Sequence, residues 1–304
     1  MYFIEANDVV KQYSGHTALN HVSIKVKEGS IYGLLGPNGA GKTSLIRIIT
    51  QITRPDSGEL LFNGQPAKPS DVCNIGYLPE ERGLYKKMKV ADHIIYLARL
   101  KGMSKAEATS EMRTWLERFD LTEWANKKIE TLSKGMAQKV QFIGTVIHRP
   151  KLLIFDEPFS GFDPVNAEIL KKEIIRLRNE GATVIFSTHN MESVEATCQE
   201  ISLINHSEVV LQGNVAEIKQ RYKKNTISVT VAEGAIAPDD SLYNIVSTTP
   251  NGYGGTESVI RLQTGTSMRE AINHLNSNYT LTGFQEILPT MNEIFIETVT
   301  GIKQ

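Results

Sequence analysis

One segment of this chain constrains its fold more than any other, the glycine-rich stretch Gly36–Ser44. Its sequence is Gly-Pro-Asn-Gly-Ala-Gly-Lys-Thr-Ser, which matches the pattern G-x-x-x-x-G-K-[ST]. The apolar run Ile31–Leu35 precedes it and predicts a buried strand, and Thr43–Ile52 predicts a helix. A glycine-rich turn can match by chance, but here strand, loop and helix stand in the order that a phosphate-binding loop needs. The segment therefore predicts an α/β fold that binds a nucleoside triphosphate.

The residue types in this loop suit a triphosphate bound with magnesium. Glycines let backbone N–H groups turn inward and approach phosphate oxygens without an intervening Cβ. A helix that begins near Lys42 points its positive end at the anion, and the Lys42 ammonium adds charge at the β- and γ-phosphates. The Thr43 hydroxyl is a candidate ligand for Mg²⁺. The predicted nucleotide-binding residues of the loop are Gly36, Asn38, Gly39, Gly41, Lys42, Thr43 and Ser44.

Two carboxylates follow a second apolar run, Leu152–Phe155, which also predicts a buried strand. Asp156, at the end of such a strand, is a candidate ligand for Mg²⁺ through water. Glu157 is a candidate to accept a proton from the water that attacks the γ-phosphate, or to orient that water. The alternative is that both acids are solvated turn residues, which the phosphate loop in the same chain makes less favourable.

His189 follows a third apolar run, Thr183–Phe186. A neutral imidazole there is able to hydrogen-bond the γ-phosphate or the attacking water. Taken alone, a histidine in this position is more simply explained as a polar loop residue with satisfied hydrogen bonds. His189 is therefore a candidate catalytic residue only in combination with the other motifs.

Strands that alternate with helices predict an α/β architecture with ligand chemistry at the carboxyl ends of parallel strands. The stretch Val90–Lys128 differs, because its apolar spacing predicts helix throughout and so a helical insertion beside the sheet. Ile201–Asn205 and Glu208–Leu211 predict a hairpin that turns at His206-Ser207. The fold class expected from these segments is the α/β core of a P-loop NTPase.

The pattern changes after the polar, basic stretch Lys219–Lys224. Beyond it the sequence predicts two strands and two helices of a small α+β domain without a chemical motif. These are Thr226–Val231, Ser258–Leu262, Ser267–Ser277 and Asn292–Val299. The predicted domains are therefore residues 1–222, with a helical subdomain at about 84–135, and residues 223–304.

Composition argues against several classes of protein. The formal net charge of the 304-residue chain is -1, which gives no global basic field for nucleic acid. Cys73 and Cys198 lack a metal-ligand spacing, which argues against zinc or a structural disulfide and fits a reducing compartment. No secretory signal and no apolar run of spanning length is visible. We therefore expect a soluble chain, to which another chain must supply any membrane-spanning part.

A segment upstream of Asp156 gives the most specific resemblance to a known family. Thr131–Lys139 contains Leu-Ser-Lys-Gly-Met and resembles the signature sequence of ABC transporter ATP-binding subunits. Ser133 is predicted to cap a helix whose apolar residues form one stripe, and with the Gly135 backbone it makes an anion site without an anion of its own. The resemblance implies that Ser133 and Gly135 bind the γ-phosphate of ATP held by a facing subunit. The alternative is an ordinary capped helix.

Other parts of the family pattern follow in order, from about Tyr2 to Ile218. Ser160–Asp163 resembles the D-loop, which communicates across the dimer, and His189 resembles the switch histidine. Tyr13 resembles the aromatic residue that stacks on adenine. The role of Tyr13 rests on the resemblance, since a lone tyrosine near the start of a chain is otherwise a core or surface residue.

Some positions depart from the family pattern. Glu80 stands where the family usually has a glutamine that contacts Mg²⁺, and a glutamate also ligates a hard cation, with one more negative charge. The adjacent Glu81 leaves the register of this position open. In the signature, Lys134 and Met136 replace a common glycine and a common glutamine but keep a capped helix. The tail Pro289–Phe295 resembles the drug- and sodium-exporter branch, which carries a small C-terminal accessory domain.

The resemblance implies an ATPase subunit that uses ATP and Mg²⁺ to energise export by a membrane transporter. It implies a transmembrane permease and a second ATPase subunit as partners, in a homodimer or a heterodimer, and no nucleic acid. The protein is then cytoplasmic and peripheral on the inner face of the cell membrane. Three alternatives are a soluble ABC ATPase that acts on nucleic acid or ribosomes, a non-enzymatic regulatory module that responds to ATP, and a kinase or GTPase. The single phosphate loop disfavours the first alternative. The presence of Asp156, Glu157 and His189 disfavours the second, and the signature disfavours the third.

Overall fold

A computed structural model describes residues 1–80, 83–160 and 162–301 of the chain. The chain divides into two compact units, Met1–Val215 and Ala216–Gln304, which are described separately. The domain boundary expected between residues 222 and 223 lies close to this division and stays a prediction. Glu81, which bears on the register of Glu80, and Gly161 in the segment that resembles a D-loop lie outside the described residues.

The first unit alternates strands and helices along most of its length. Its strands are β1 Tyr2–Tyr13, β2 His16–Lys27, β3 Ile31–Leu35, β4 Ser57–Phe62, β5 Gln65–Pro66, β6 Ile75–Leu78, β7 Leu152–Asp156, β8 Thr183–Ser187, β9 Glu200–Asn205 and β10 Glu208–Asn214. Its helices are α1 Lys42–Ile49, α2 Val90–Leu100, α3 Lys105–Arg118, α4 Lys134–Val146, α5 Pro164–Asn179 and α6 Met191–Thr197, with 3₁₀ turns at Pro69–Asn74, Thr122–Trp124 and Ile129–Thr131. Helix α7, Val215–Arg221, begins at the division between the units. No helix in the described part of the chain has the length and apolar character needed to cross a membrane.

The central sheet has the strand order β10-β9-β3-β8-β7-β6. Strands β9, β3, β8, β7 and β6 run parallel, whereas β10 pairs antiparallel with β9. Every residue of β3, β7 and β8 is buried, as expected for parallel strands that are covered on both faces. The predicted α/β fold is therefore confirmed, and the three motif-bearing segments leave the sheet at the carboxyl ends of these three strands.

A second sheet, with the order β2-β1-β4-β5, is antiparallel, and no sequence pattern described above predicts it. The pairing of β1 with β2 contains register shifts, and β1 has no regular alternation, whereas Val22–Lys27 of β2 alternates between buried and exposed residues. Apolar residues of this sheet form one core with α1 and the central sheet, and Ile4, Val22, Leu45 and Ile154 are among its fully buried members. This shared core fixes α1, and with it the phosphate loop, against both sheets.

The region predicted to be helical throughout, Val90–Lys128, is interrupted, so this prediction is wrong in part. Helix α2 is followed by Gly102, with a φ of 94°, and α3 is followed by Asp120, with a φ of 56°. Left-handed residues of this kind cannot lie inside a right-handed helix, and apolar spacing alone does not reveal them. The region therefore consists of two helices and one short 3₁₀ turn, Thr122–Trp124.

An aromatic row joins this helical region to the central sheet. Trp115 of α3, Phe119, Phe142 of α4 and Phe155 of β7 lie with neighbouring ring centroids 5.6–6.1 Å apart. Aromatic pairs at this spacing pack favourably in edge-to-face or offset arrangements. The row ends one residue before Asp156, so the packing of the helical region reaches the strand that positions the predicted metal ligand.

The predicted hairpin of β9 and β10 is confirmed, with left-handed φ angles of 47° at His206 and 70° at Ser207. The turn of this hairpin is hydrogen-bonded to the phosphate loop. The Ser207 N–H donates to the Ala40 carbonyl oxygen at 3.1 Å, and the Ser207 hydroxyl donates to the Thr17 carbonyl oxygen at 2.6 Å. The turn therefore ties the loop to the start of β2.

The second unit is a small α+β structure, as predicted. Its elements are β11 Thr226–Val231, β12 Tyr243–Pro250, β13 Thr256–Leu262, β14 Leu281–Ile287, α8 Met268–Asn278 and α9 Met291–Thr300. The strands form an antiparallel sheet in the order β12-β13-β11-β14, and Ala271 and Leu275 of α8 share a buried core with Ile227 and Ile260. The two edge strands, β12 and β14, are mostly exposed and carry no clear alternation, which is why the sequence did not indicate them.

Candidate nucleotide site

The phosphate loop connects β3 to α1 through glycines in conformations that other residues rarely adopt. Gly36, Gly39 and Gly41 have φ angles of 146°, 80° and 116°. A Cβ at Gly36 would lie 2.2 Å from the Ile204 carbonyl oxygen, and one at Gly41 would lie 2.3 Å from the Ala18 carbonyl oxygen. Both contacts are far inside van der Waals distance, so the two positions require glycine for space as well as for conformation.

Lys42, the first residue of α1, is nearly buried, and its side chain folds back over the loop. Its Nζ donates hydrogen bonds to the Gly36 carbonyl oxygen at 2.7 Å and to the Pro37 carbonyl oxygen at 3.0 Å. Burial lowers the pKa of Lys42, and the carboxylates Glu157, Asp156 and Glu80 oppose that shift. The ammonium is thus held at the loop by neutral carbonyls, which are weaker partners than phosphate oxygens.

A cavity of about 240 Å³ lies over this loop. Its lining residues are Tyr13, His16, Ala18, Asn38, Gly39, Gly41, Lys42, Thr43, Ser44, Glu80, Asp156 and Glu157. The structure therefore gathers around one space the predicted loop residues other than Gly36, together with Tyr13, Glu80 and Asp156. Gly36 does not line the cavity, but its carbonyl oxygen accepts a hydrogen bond from Lys42 Nζ.

Asp156 is the last residue of β7 and lies in register with Ser187, the last residue of β8. The Ser187 hydroxyl donates to the Asp156 carboxylate. Burial raises the pKa of Asp156, the neighbouring Glu157 raises it further, and Ser187, Lys42 and Arg47 lower it. A cation placed beside this carboxylate would relieve the cost of its burial as an anion.

The candidate metal ligands do not form a complete cage by themselves. Among residues 1–80, 83–160 and 162–301, no three His, Cys, Asp or Glu side chains lie close enough to hold an ion together. Thr43, Glu80 and Asp156 nevertheless line the same cavity. That arrangement fits Mg²⁺, which keeps several waters and is usually bound by one or two protein groups together with phosphate oxygens.

Glu157 leaves the sheet in a left-handed conformation, with a φ of 49°, and its N–H donates to the Ser187 carbonyl oxygen at 3.0 Å. Its Oε2 accepts from the Thr188 hydroxyl at 3.2 Å. Its Oε1 accepts from the His189 N–H at 3.0 Å and lies 2.7 Å from His189 Nδ1. Because a carboxylate only accepts hydrogen bonds, Nδ1 is the donor in this contact, and Nε2 is not used to bind Glu157.

His189 does not line the cavity, but it contacts Glu157, which does. Its side chain is 71% exposed, whereas that of Glu157 is 12% exposed. The histidine therefore sits at the open rim of the site. Tyr13, at the end of β1, is 39% exposed beside the same cavity, with Lys11 Nζ 5.5 Å from its ring centroid. An exposed ring at the cavity mouth is available for stacking on a base.

The signature segment lies elsewhere in the unit. Ser133 caps α4, and its hydroxyl accepts from the Met136 N–H at 3.3 Å, as the sequence predicts. Ser133 is exposed, and the space where a side chain at Gly135 would point is open except for Asn166 Nδ2 at 3.8 Å. Neither Ser133 nor Gly135 lines the cavity over the phosphate loop.

Comparison with known proteins decides the family. The pattern of the ABC transporter family matches residues 19–160, and that of the C-terminal domain of DrrA1-3-like ATP-binding proteins matches residues 213–299. The chain is 41% identical over 299 residues to the uncharacterized ABC transporter ATP-binding protein YhaQ of Bacillus subtilis, with 97% of each chain covered. The chain belongs to the ABC transporter ATP-binding proteins.

Further relatives of this ABC protein have names that refer to different processes. The linearmycin resistance ATP-binding protein LnrL of Bacillus subtilis is 33% identical over 76% of this chain and 75% of its own. The spermidine/putrescine import ATP-binding protein PotA of Nitrosospira multiformis is 34% identical over 73% of this chain and 61% of its own. A solved structure of an ATP-binding subunit of an ABC transporter aligns with a TM-score of 0.68 and 28% identity, covering 72% of this chain and 93% of that one. The expected family and fold are confirmed, and with them the activity of an ATPase that binds ATP.

Several polar residues of this ABC ATPase were not singled out from the sequence. Ser187 and Thr188 bond the two carboxylates, and His16 pairs with Tyr13 across the turn from β1 to β2. Gln138 of α4 donates from Nε2 to the Ser160 carbonyl oxygen at 2.7 Å, which ties the signature helix to the turn after Glu157. Ser187 was foreseeable, because the ends of adjacent parallel strands lie side by side, whereas the other contacts depend on tertiary packing.

Proposed function

We propose that this ABC ATP-binding protein powers export through a separate membrane permease, from the cytoplasmic face of the membrane. The observation that carries the proposal is the division of the catalytic parts. Lys42, Asp156 and Glu157 surround one cavity, whereas the exposed Ser133 and the half-buried Gly135 do not line it. A second copy placed head to tail would bring its own Ser133 and Gly135 to the γ-phosphate and complete the site.

The chemistry proposed for the completed site uses groups that the fold already holds. Amides of the phosphate loop and Lys42 bind the β- and γ-phosphates, and Thr43, Glu80 and Asp156 hold Mg²⁺. Bound Mg²⁺ would neutralise charge that develops on the phosphoryl oxygens. Glu157, fixed by its three hydrogen-bond donors, accepts the proton of the attacking water, and His189 holds Glu157 at the rim.

Export as the direction rests on two similarities. The match over residues 213–299 is to a C-terminal domain of DrrA1-3-like ATP-binding proteins, and LnrL is named for resistance to linearmycin. Resistance to a compound is commonly achieved by removing it from the cell. The import protein PotA, although 34% identical, spans a smaller part of its own length with this chain. We therefore place this protein with exporters.

A transport assay in cells tests the proposed direction. The full chain would be expressed together with a multi-helix membrane protein encoded beside it, and cellular accumulation of labelled antibiotics would be measured. Cells with the wild-type pair should accumulate less of at least one compound than cells with the Glu157→Gln variant. The variant Glu192→Gln, which changes an exposed acid outside the cavity, should behave like wild type. Greater accumulation with the wild-type pair would contradict export.

A further inference from the structure

The imidazole of His16 belongs to the cavity over the phosphate loop. His16 is the first residue of β2, it is exposed, and it lines this cavity. Within the part of the chain that the structure describes, its ring forms no hydrogen bond or ion pair. A neutral imidazole has one nitrogen that donates and one that accepts, so both are available here to a bound molecule.

The turn between β1 and β2 fixes the position of this imidazole. Ser14 and Gly15 connect the two strands, and Gly15 is in a left-handed conformation with a φ of 76°. Tyr13 and His16 pair directly across this turn. Side chains of residues paired in this way lie on the same face of a sheet, with their Cβ atoms about 5 Å apart. The imidazole therefore lies beside the exposed ring of Tyr13.

The same stretch of β2 leads from Tyr13 to the phosphate loop. Ala18, two residues beyond His16, also lines the cavity. Its carbonyl oxygen adjoins the loop so closely that a Cβ at Gly41 would lie 2.3 Å from it. Two residues of a strand span about 7 Å. His16 therefore lies at the Tyr13 end of a short path along β2, and the phosphate loop lies at the other end.

The covalent structure of a nucleoside triphosphate matches this path, because its ribose joins the base to the phosphates. With the base on Tyr13 and the phosphates at Gly41 and Lys42, the ribose lies over the stretch from His16 to Ala18. Thr17 does not line the cavity, and Ala18 presents a methyl group, which cannot hydrogen-bond. The imidazole is therefore the side chain of this stretch that can bind the 2′ and 3′ hydroxyls, each of which donates and accepts.

We propose that His16 hydrogen-bonds the ribose hydroxyls of bound ATP and makes the site select nucleotides that carry them. The proposal rests on the nucleotide site proposed above, with the base on Tyr13, and adds a contact to the sugar. Tyr13 presents a ring face, on which any base can stack. Selectivity at this end of the cavity therefore comes from the sugar, and ATP and GTP should bind with similar affinity.

Equilibrium binding of ATP and of 2′,3′-dideoxyATP to the full chain, each with Mg²⁺, tests this inference. Wild type should bind ATP about fivefold more tightly than the dideoxy analogue, which is the contribution of one typical neutral hydrogen bond. His16→Phe keeps an aromatic ring but has no nitrogen to donate or accept, so it should bind the two nucleotides equally. His16→Gln keeps a donor and an acceptor and should retain part of the preference.

A matched control, His274→Ala, removes an imidazole from α8 in the second unit and should keep the wild-type preference. The proposal would be overturned by a wild type that binds both nucleotides equally. It would also be overturned if His16→Phe kept the preference, since the ring would then only pack beside Tyr13. Tyr13→Ala and Lys42→Ala should weaken binding of both nucleotides. If they do while His16→Phe keeps the preference, this inference alone fails, whereas unchanged binding in both would refute the proposed nucleotide site itself.

Discussion

At the level of single residues, both oxygens of Glu157 are engaged by groups that follow β8 in sequence. Thr188 and the backbone and ring of His189 hold the carboxylate against the cavity in which Lys42 and Asp156 lie. A general base must be fixed within reach of the proton that it removes. The sequence identified Glu157 and His189 as separate candidates, but their 2.7 Å contact depends on how β7 and β8 end side by side.

The Glu157→Gln variant should bind ATP normally and lose hydrolysis by about 100-fold or more, because an amide cannot accept the proton. Single-turnover hydrolysis and ATP binding, measured on the same preparation, check this. The variant Glu192→Gln serves as the control, since that acid is exposed and does not line the cavity. Normal turnover by Glu157→Gln would remove Glu157 from the mechanism.

Burial of the Asp156 carboxylate should lower the stability of the nucleotide-free protein. Its pKa in the fold is raised above the usual value of 3.8, chiefly by burial, so the folded state binds the proton more tightly than the unfolded state. The protein therefore loses stability as pH rises from about 3.8 through the raised pKa of Asp156. The lower stability persists at neutral pH, where the buried carboxylate is ionised. The Asp156→Asn variant should melt at a higher temperature at pH 7 and show no gain in strong acid.

The same substitution should lower Mg²⁺-dependent hydrolysis by about 100-fold or more, since a metal ligand supplies several kcal/mol of charge stabilisation. Thermal melts across the pH range, together with hydrolysis at saturating Mg²⁺, test both effects. A nucleotide-free variant that is less stable than wild type at neutral pH would contradict the stated cost of burying this carboxylate.

At the level of elements, the sequence predicted the motifs that begin or end at a buried strand. It did not predict the segments that lack a strong hydrophobic periodicity. Ile31–Leu35 and Thr226–Val231 are strands with the bounds that their patterns predict. In the antiparallel sheet that was missed, β1 has no regular alternation, but Val22–Lys27 of β2 alternates and was a signal for a strand. The helical insertion was predicted as one element because apolar spacing does not reveal the left-handed residues Gly102 and Asp120.

Helix α4 should depend on Ser133 in two separable ways. Ser133→Ala removes the cap of α4 and should cost about 1 kcal/mol of stability. Ser104→Ala removes the equivalent cap of α3, outside the signature, and should cost a similar amount. If Ser133 also binds the γ-phosphate of a facing subunit, only Ser133→Ala should lose hydrolysis, by about 10-fold or more. Denaturant unfolding and ATPase assays distinguish them, and equal hydrolysis by the two variants would leave Ser133 with a structural role only.

At the level of the whole molecule, the first unit holds the two proposed parts of a nucleotide site on different surfaces. The phosphate loop, Asp156 and Glu157 line the cavity, while the signature helix carries the exposed cap Ser133 and the half-buried Gly135 outside it. In the proposed head-to-tail dimer, the signature segment of one copy would complete the phosphate site of the other. The sequence predicted this division only through the family resemblance, because no spacing along one chain specifies which surfaces of two copies meet.

The central claim is that hydrolysis requires two subunits, and dilution tests it most directly. ATPase turnover per chain would be measured over a range of protein concentrations, with the fraction of dimer determined in parallel in the presence of ATP and Mg²⁺. Turnover should fall in proportion to the dimer fraction as the protein is diluted, while each monomer still binds ATP through Lys42 and the phosphate loop. Full turnover by protein shown to be monomeric would contradict the account.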